Sequence, residues 1–338
     1  MTINDSQGAP HRLRDPFKHS QKPKLTSACK GIFMLVLTTV LLIVVVGVDI
    51  VLETNILTHT LDSALRSSQE EQRSVREDVA CSPIMANASS IDYHSRHRYY
   101  SLMKEASSLS PHPVFRGNHM VLCSSNLQSD LSYEYCLPIS GRKDSPFCAG
   151  ADRMDLLAQH SREIRCYASV LHMLLVEVYE ELQHFSHTPI VVFGSLLGAV
   201  RNGSMIPFTE DTDIAYSGQL NESEIGRALK EKGYHFFFLH IWRVCVASTH
   251  PLAAKLYDSS LPITEAYKVP YLDLYAMKKQ NETTWSMEEF SDGTLPADKV
   301  QPFSQVKING LSFDTVHDPN YFLERMYGEQ YMVPRPRD

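Results

Sequence analysis

Between Val192 and Tyr216 the chain reads VFGSLLGAVRNGSMIPFTEDTDIAY, where glycines, a serine, an arginine and several acids stand at spacings suited to a phosphorylated ligand. Asp211 and Asp213 lie two residues apart in a stretch that reads as strand, so both side chains project from one face. Two carboxylates on one face make a seat for Mg2+ or Mn2+, which take one or two protein carboxylates and complete their shells with phosphate oxygens and water. Gly194 lacks a Cβ and lets backbone approach an anion, while Ser195 can cap the following helix and add a hydroxyl at its N-terminus. Arg201 offers a planar, permanently charged fork for phosphate oxygens. Taken singly, a Gly-Ser pair is usually a turn, an Asp-x-Asp a solvated pair and an arginine a surface ion-pair partner. Their succession behind a buried strand, with Ile206, Pro207 and Phe208 leading into the acids, points to a metal-phosphate site.

Downstream, PYLDLYAM carries one acid, Asp273, in an otherwise apolar strand. A buried, unpaired carboxylate is costly, so a metal shared with Asp211 and Asp213 would account for it. An edge position facing water, or pairing with Lys268 or Lys278, are the alternatives.

The elements that must hold these residues are legible from periodicity. The apolar run 190–193 reads as a buried strand ending at the Gly194-Ser195 turn. Further strands are expected near 213–216, 234–239, 242–247, 271–277 and 305–308, with a helix near 222–232. From Asp152 to His184 apolar residues recur at helical spacing, which predicts one long or two consecutive helices. At the C-terminus Asp318 suits an N-cap, Pro319 the first helical position and Gly328 the stop, with Phe322, Leu323, Met326 and Tyr327 on the inner face. The sum is an α/β (α+β) domain.

The segment resembles the LicD family, which includes fukutin and fukutin-related protein and belongs to the nucleotidyltransferase-like superfamily. The resemblance rests on GSLLGAVR (Gly194 to Arg201), on Ile206-Pro207-Phe208, on Asp211-Thr212-Asp213-Ile214, on Asp273 and on the closing YFLERMYGEQYMVP. It covers roughly residues 155–335. Phe208 stands where the family has tryptophan, and Thr209-Glu210 where it has further acids. The resemblance implies a mixed sheet flanked by helices and transfer of a phospho-alditol, phosphocholine or similar group from a CDP-linked donor to a glycan acceptor. It implies Asp211, Asp213 and Asp273 as metal ligands, Gly194, Ser195, Gly198 and Arg201 as donor-phosphate residues, and Asp273 or Glu210 as the base. An Asp-x-Asp glycosyltransferase using a nucleotide sugar, or a non-catalytic partner in glycan assembly, are the competing readings.

The chain has 338 residues, 43% of them hydrophobic, and a formal charge of -7, which gives no broad cationic surface for a phosphate backbone and argues against nucleic acid as a partner. Residues 32–48 carry no charge and are preceded by Arg12, Arg14, Lys18, Lys22, Lys24 and Lys30. That length and asymmetry suit a single transmembrane helix with a cytosolic N-terminus. The expected order is a cytosolic tail (1–30), a signal-anchor (31–52), a stem (53–80), a cysteine-containing, loop-rich luminal segment (81–150) and the catalytic domain (151–338). The expectation is a single-pass type II protein of the Golgi or endoplasmic reticulum membrane, with the catalytic domain luminal. Six cysteines fall on the luminal side, an even number that suggests disulfides. Cys81, Cys123, Cys136 and Cys148 crowd one segment as the favoured bridge formers, whereas Cys166 and Cys245 sit in apolar stretches where a buried free thiol fits equally well. Asn202 begins a sequon but is expected to fold against the site and escape glycosylation.

Overall fold

A computed structural model describes residues 34–44, 46, 79–124, 133–158, 162–263, 270–290 and 293–334. The chain divides into two compact units, residues 1–73 and 74–338. Of the first, only residues 34–44 and 46 are described; they are helical, with their large apolar side chains exposed. Among the described residues no helix is long and apolar enough to cross a membrane. The tail expected at 1–30 lies outside the described residues, as does nearly all of the stem expected at 53–80. Of the span expected at 31–52, residues 31–33, 45 and 47–52 do so too.

The second unit opens with a short ribbon of β1 (Ala80–Cys81) and β2 (Phe115–Arg116) enclosing helix α1 (Arg98–Leu109). The long helix α2 (Tyr167–His184) leads into β3 (Thr188–Val191), α3 (Phe193–Asn202), β4 (Asp211–Ser217), α4 (Glu222–Glu231), β5 (Tyr234–Leu239) and β6 (Ile241–Val246). After the short α5 (Ala253–Leu256) come β7 (Tyr271–Lys279), β8 (Thr284–Met287), β9 (Thr294–Pro296) and α6 (Ala297–Val300). A hairpin of β10 (Ser304–Ile308) and β11 (Leu311–Thr315) and the helix α7 (Pro319–Tyr327) close the fold. Seven strands form one mixed sheet in the order β3-β4-β7-β6-β5, with β8 and β9 extending from β7. Only β4 and β7 run parallel in it. Pro189 is tolerated because β3 lies at the sheet edge, where a missing N–H interrupts no ladder.

Helix α2 is buried almost all round. It packs on β4 and β7 on one side, and on the other its core is continued by Tyr99, Met103, Phe115, Leu122 and Leu137 from the N-terminal segment. That segment contains α1, which its serine-rich composition concealed, so it is less loop-like than its sequence suggests. The helix expected from Asp152 begins only at Tyr167. Before it lie 3-10 turns at Arg153–Leu157 and Arg162–Ile164. The cause is at residues 165–167: Arg142 donates its N–H to the Arg165 carbonyl, and Tyr167 donates to the Arg142 carbonyl. This holds the chain extended just before α2.

Disulfides join Cys81 to Cys123, Cys136 to Cys245 and Cys148 to Cys166. Cys166 and Cys245 are therefore not free thiols; their apolar surroundings are places where the N-terminal segment is stapled to the sheet and to the start of α2. Asn202 is exposed at the end of α3, so burial does not shield it as expected. The capping of α7 is as anticipated, with the Asp318 side chain accepting from the Tyr321 N–H. Tyr327, however, is exposed rather than part of the inner face.

One buried acid couples this core to pH. Glu177 on α2 is 2% exposed. Burial pushes its carboxyl up to about 7 from the usual 4.5, and Arg153 and Lys232 only moderate the rise. A carboxyl whose folded pKa lies above its unfolded one contributes stability that is complete below pH 4.5 and is lost as pH rises through 7. Urea unfolding of the parent and of Glu177→Gln should therefore diverge between pH 4.5 and 7.5, in the variant's favour by up to about 3 kcal/mol. Parallel pH profiles would show that Glu177 ionises in the fold without cost.

Candidate functional site

The parallel pairing of β4 with β7 sets Asp213 directly beside Asp273. Asp211 lies two residues before Asp213, on the same face of the strand. The three side chains bring carboxylate oxygens within 4.8 Å of one another. Asp213 and Asp273 are buried and Asp211 is half-buried. Burial raises the Asp213 carboxyl well above the usual range, and the Asp211 and Asp273 charges add to the rise. Asp273 is pushed up to about 6 by burial, against the pull of Arg243.

Arg243 is the residue opposite Asp273 on the antiparallel strand β6, and its Nε donates to Asp273 Oδ1 at 2.5 Å. Lys278 does not play that part, and Lys268 lies outside the described residues. With all three acids ionised, one guanidinium leaves two negative charges, the complement of one divalent cation in a site of low dielectric. Tyr275, two residues after Asp273 on the same face, has its hydroxyl 3.3 Å from both Asp213 Oδ1 and Asp273 Oδ2. Burial and the neighbouring acids push the Tyr275 hydroxyl pKa well above its usual value, so it stays protonated and donates to them. Thr209 Oγ1 donates to Asp211 Oδ1 at 2.6 Å. The carboxylate cluster, the net charge and the cost of leaving these acids buried without a counter-ion all fit a divalent metal.

The turn from β3 into α3 presses backbone against this cluster. Phe193 adopts a left-handed φ of 43°, an uncommon conformation for a bulky residue, held where the chain reverses toward the carboxylates. A Cβ on Gly194 would stand 3.1 Å from Asp213 Oδ2. Ser195 donates its N–H to that oxygen at 3.1 Å, and its Oγ accepts the Asp213 N–H at 2.7 Å. The same Oγ is 2.7 Å from Thr212 Oγ1. Ser195 is thus a clamp on Asp213, with the N-terminus of α3 favouring the anion. Gly198 serves packing, since a Cβ there would come within 2.5 Å of the Ser204 carbonyl oxygen. Arg201 reaches the site's rim, where its Nε donates to the Tyr331 carbonyl at 2.8 Å and its Nη2 to the Tyr331 and Val333 carbonyls. Glu210 forms an ion pair with Lys143.

These residues border a cleft of about 680 Å³, within the size range of small-molecule sites. Gly194, Arg201, Asp211, Asp213 and Tyr275 line it together with Phe193 and Phe208. Ser195, Gly198, Glu210 and Asp273 are not part of the lining. The sequence reading missed Arg243, Tyr275, Thr209, Glu289, Tyr327 and Tyr331. Two of these had a signal: Arg243 is a lone charge in the apolar run IWRVCV, matching the lone acid in PYLDLYAM, and Tyr275 repeats the two-residue spacing from Asp273.

Residues 188–315 match the family model described as LicD/FKTN/FKRP, nucleotidyltransferase domain. The chain therefore carries a LicD-type domain, the family to which its Gly194–Arg201 and Asp211–Ile214 motifs pointed. Among curated proteins none matches the chain.

The arrangement sets a thermodynamic sign. Without divalent cation, Asp213→Asn should unfold a few degrees above the parent, because one member of a mutually repelling, buried set loses its charge. With Mg2+ or Mn2+ added, the parent should gain several degrees and the variant little, since only the full set binds the ion tightly enough for linkage. Equal cation-induced shifts in differential scanning fluorimetry would remove Asp213 from the ligand set.

Proposed function

We propose that the chain is a metal-dependent phosphotransferase that moves a phospho-alditol, phosphocholine or similar group from a CDP-linked donor onto a glycan hydroxyl. The observation that carries the reading is the Asp211, Asp213 and Asp273 cluster beside a nucleotide-sized cleft in a nucleotidyltransferase domain. The acceptor oxygen forms a bond to the phosphorus that bears the alcohol, the bond from that phosphorus to the bridging oxygen breaks, and CMP leaves with that oxygen. Asp211, Asp213 and Asp273 would hold Mg2+ or Mn2+, which when bound offsets charge on the diphosphate and the departing phosphate.

The chain's own residues do the positioning. Ser195 and Tyr275 fix the Asp213 carboxylate, and Arg243 fixes Asp273, so the ligand set is rigid before any donor arrives. Gly194 leaves the backbone at the start of α3 open to the cleft. The acceptor proton passes to a general base, and the cleft's charged groups offer carboxylates for it. Asp273 is engaged by Arg243 and Tyr275, and Glu210 by Lys143. Glu289 is exposed in the lining and takes the role of base.

The charge asymmetry around residues 32–48 and the three disulfides support a type II topology with the domain in an oxidising lumen. In intact vesicles a C-terminal tag should survive protease while an N-terminal tag is digested; the reverse pattern sinks this topology.

The full chain in detergent, offered a panel of CDP-linked alcohols and glycan acceptors, should release CMP only with divalent cation present. Asp213→Asn should lower the rate at least about a hundredfold, the scale of losing one preorganised charge contact. Release that persists in excess EDTA would overturn the metal dependence, and no release with any donor would overturn the phosphotransferase reading and leave a glycosyltransferase or a binding partner on the same fold.

A further inference from the structure

The arginine that the sequence offers as a phosphate ligand is engaged elsewhere. Arg201 stands in the last turn of α3, and its guanidinium faces the segment after α7. Nε and Nη2 both donate to the Tyr331 carbonyl, and Nη2 also reaches the Val333 carbonyl at 3.3 Å. The segment is folded on itself to receive this fork: Tyr331 N–H donates to the Gly328 carbonyl at 3.0 Å and Val333 N–H to the Gln330 carbonyl at 2.9 Å. The Tyr331 hydroxyl is held at 2.8 Å from Asn320 Oδ1 at the start of α7. Gln330, Tyr331 and Val333 line the same cleft as Asp211 and Asp213.

We infer that Arg201 is a positioning residue that clasps the C-terminal segment, so that Gln330, Tyr331 and Val333 form the outer wall of the donor cleft. The inference rests on the proposed reading of that cleft as the donor site. A planar fork can serve two carbonyls at once, whereas an ammonium on a flexible stem cannot reproduce that geometry, so charge alone does not fulfil the role. Without the clasp, the segment beyond Gly328 loses its backbone hold on α3, and the wall loses its register with the acids. The donor then binds less well while the Asp cluster, fixed by the sheet, keeps its chemistry.

The test is a cycle in the full chain with Arg201→Lys, a truncation after Gln330 and both together. Each single change should raise the KM for the CDP-linked donor by about tenfold, the value of one interaction of roughly 1.4 kcal/mol, with kcat little altered. The combined variant should be no worse than the truncation, because the arginine acts through the segment that is gone. Additive losses would show that Arg201 meets the donor itself and would overturn the inference, as would a parental KM in Arg201→Lys. A second measurement needs no turnover. Hydrogen exchange at the Tyr331 and Val333 amides should quicken at least about tenfold in Arg201→Lys while β4 and β7 amides hold their protection. Unchanged exchange at those two amides refutes the clasp whatever the substrate. Faster exchange in a protein whose parent consumes no CDP-linked donor upholds the clasp and refutes the donor assignment.

Discussion

The structure depends on a repulsion. Parallel pairing of β4 and β7 places Asp213 against Asp273 inside the sheet, with Asp211 one pleat away. Three carboxylates in that space are unfavourable both for losing water and for facing one another. The neighbouring elements can be understood as responses to this. Strand β6 contributes Arg243 from directly across the sheet, β7 contributes the Tyr275 hydroxyl, and α3 contributes its N-terminal backbone and the Ser195 clamp. What they leave uncompensated is the charge of one divalent ion. Stability given up at such a point is recovered by ligand binding, which makes the same feature a weakness of the bare protein and the source of its affinity.

The parts of this arrangement that were legible in the sequence are those set by local rules. The two-residue spacing of Asp211 and Asp213, the caps of α7 and the apolar runs of β5 and β7 all follow from neighbours in the chain. Asp273 was legible for another reason: a single acid in an apolar strand demands an explanation. What escaped notice depends on pairing at a distance. Arg243 meets Asp273 across thirty residues, and Arg201 meets the Tyr331 carbonyl across 130. No local pattern records which strands will be neighbours, so the purpose of a charged residue could be guessed only from its type. For Arg201 that guess chose a phosphate where the fold supplies backbone carbonyls. Ser195 shows the same limit: it was read as the cap of the following helix, but it lies inside the first turn of α3, whose N-cap is Val192, and its partner proved to be a carboxylate of the chain itself.

The segment matched by the family model begins at residue 188, yet the core does not. Helix α2 precedes it and supplies one side of the sheet's packing, and α2 in turn is covered by residues 79–158. Burial on both sides explains why α2 shows so little polar face, and why Glu177 ends up where ionisation is costly. The N-terminal part of the unit is accordingly structural in the strict sense: it completes a core that the matched segment leaves half open.

Cys245 lies two residues from Arg243 on the same strand and is bonded to Cys136 in the N-terminal segment. The strand that brings the counter-charge to Asp273 is thus anchored covalently to sequence far outside the motif. A chain made where thiols stay reduced would contain every acid of the site and yet lack this tether, so the redox conditions of folding bear on the placing of Arg243. Redox history, in this sense, becomes one of the inputs to the geometry around Asp273.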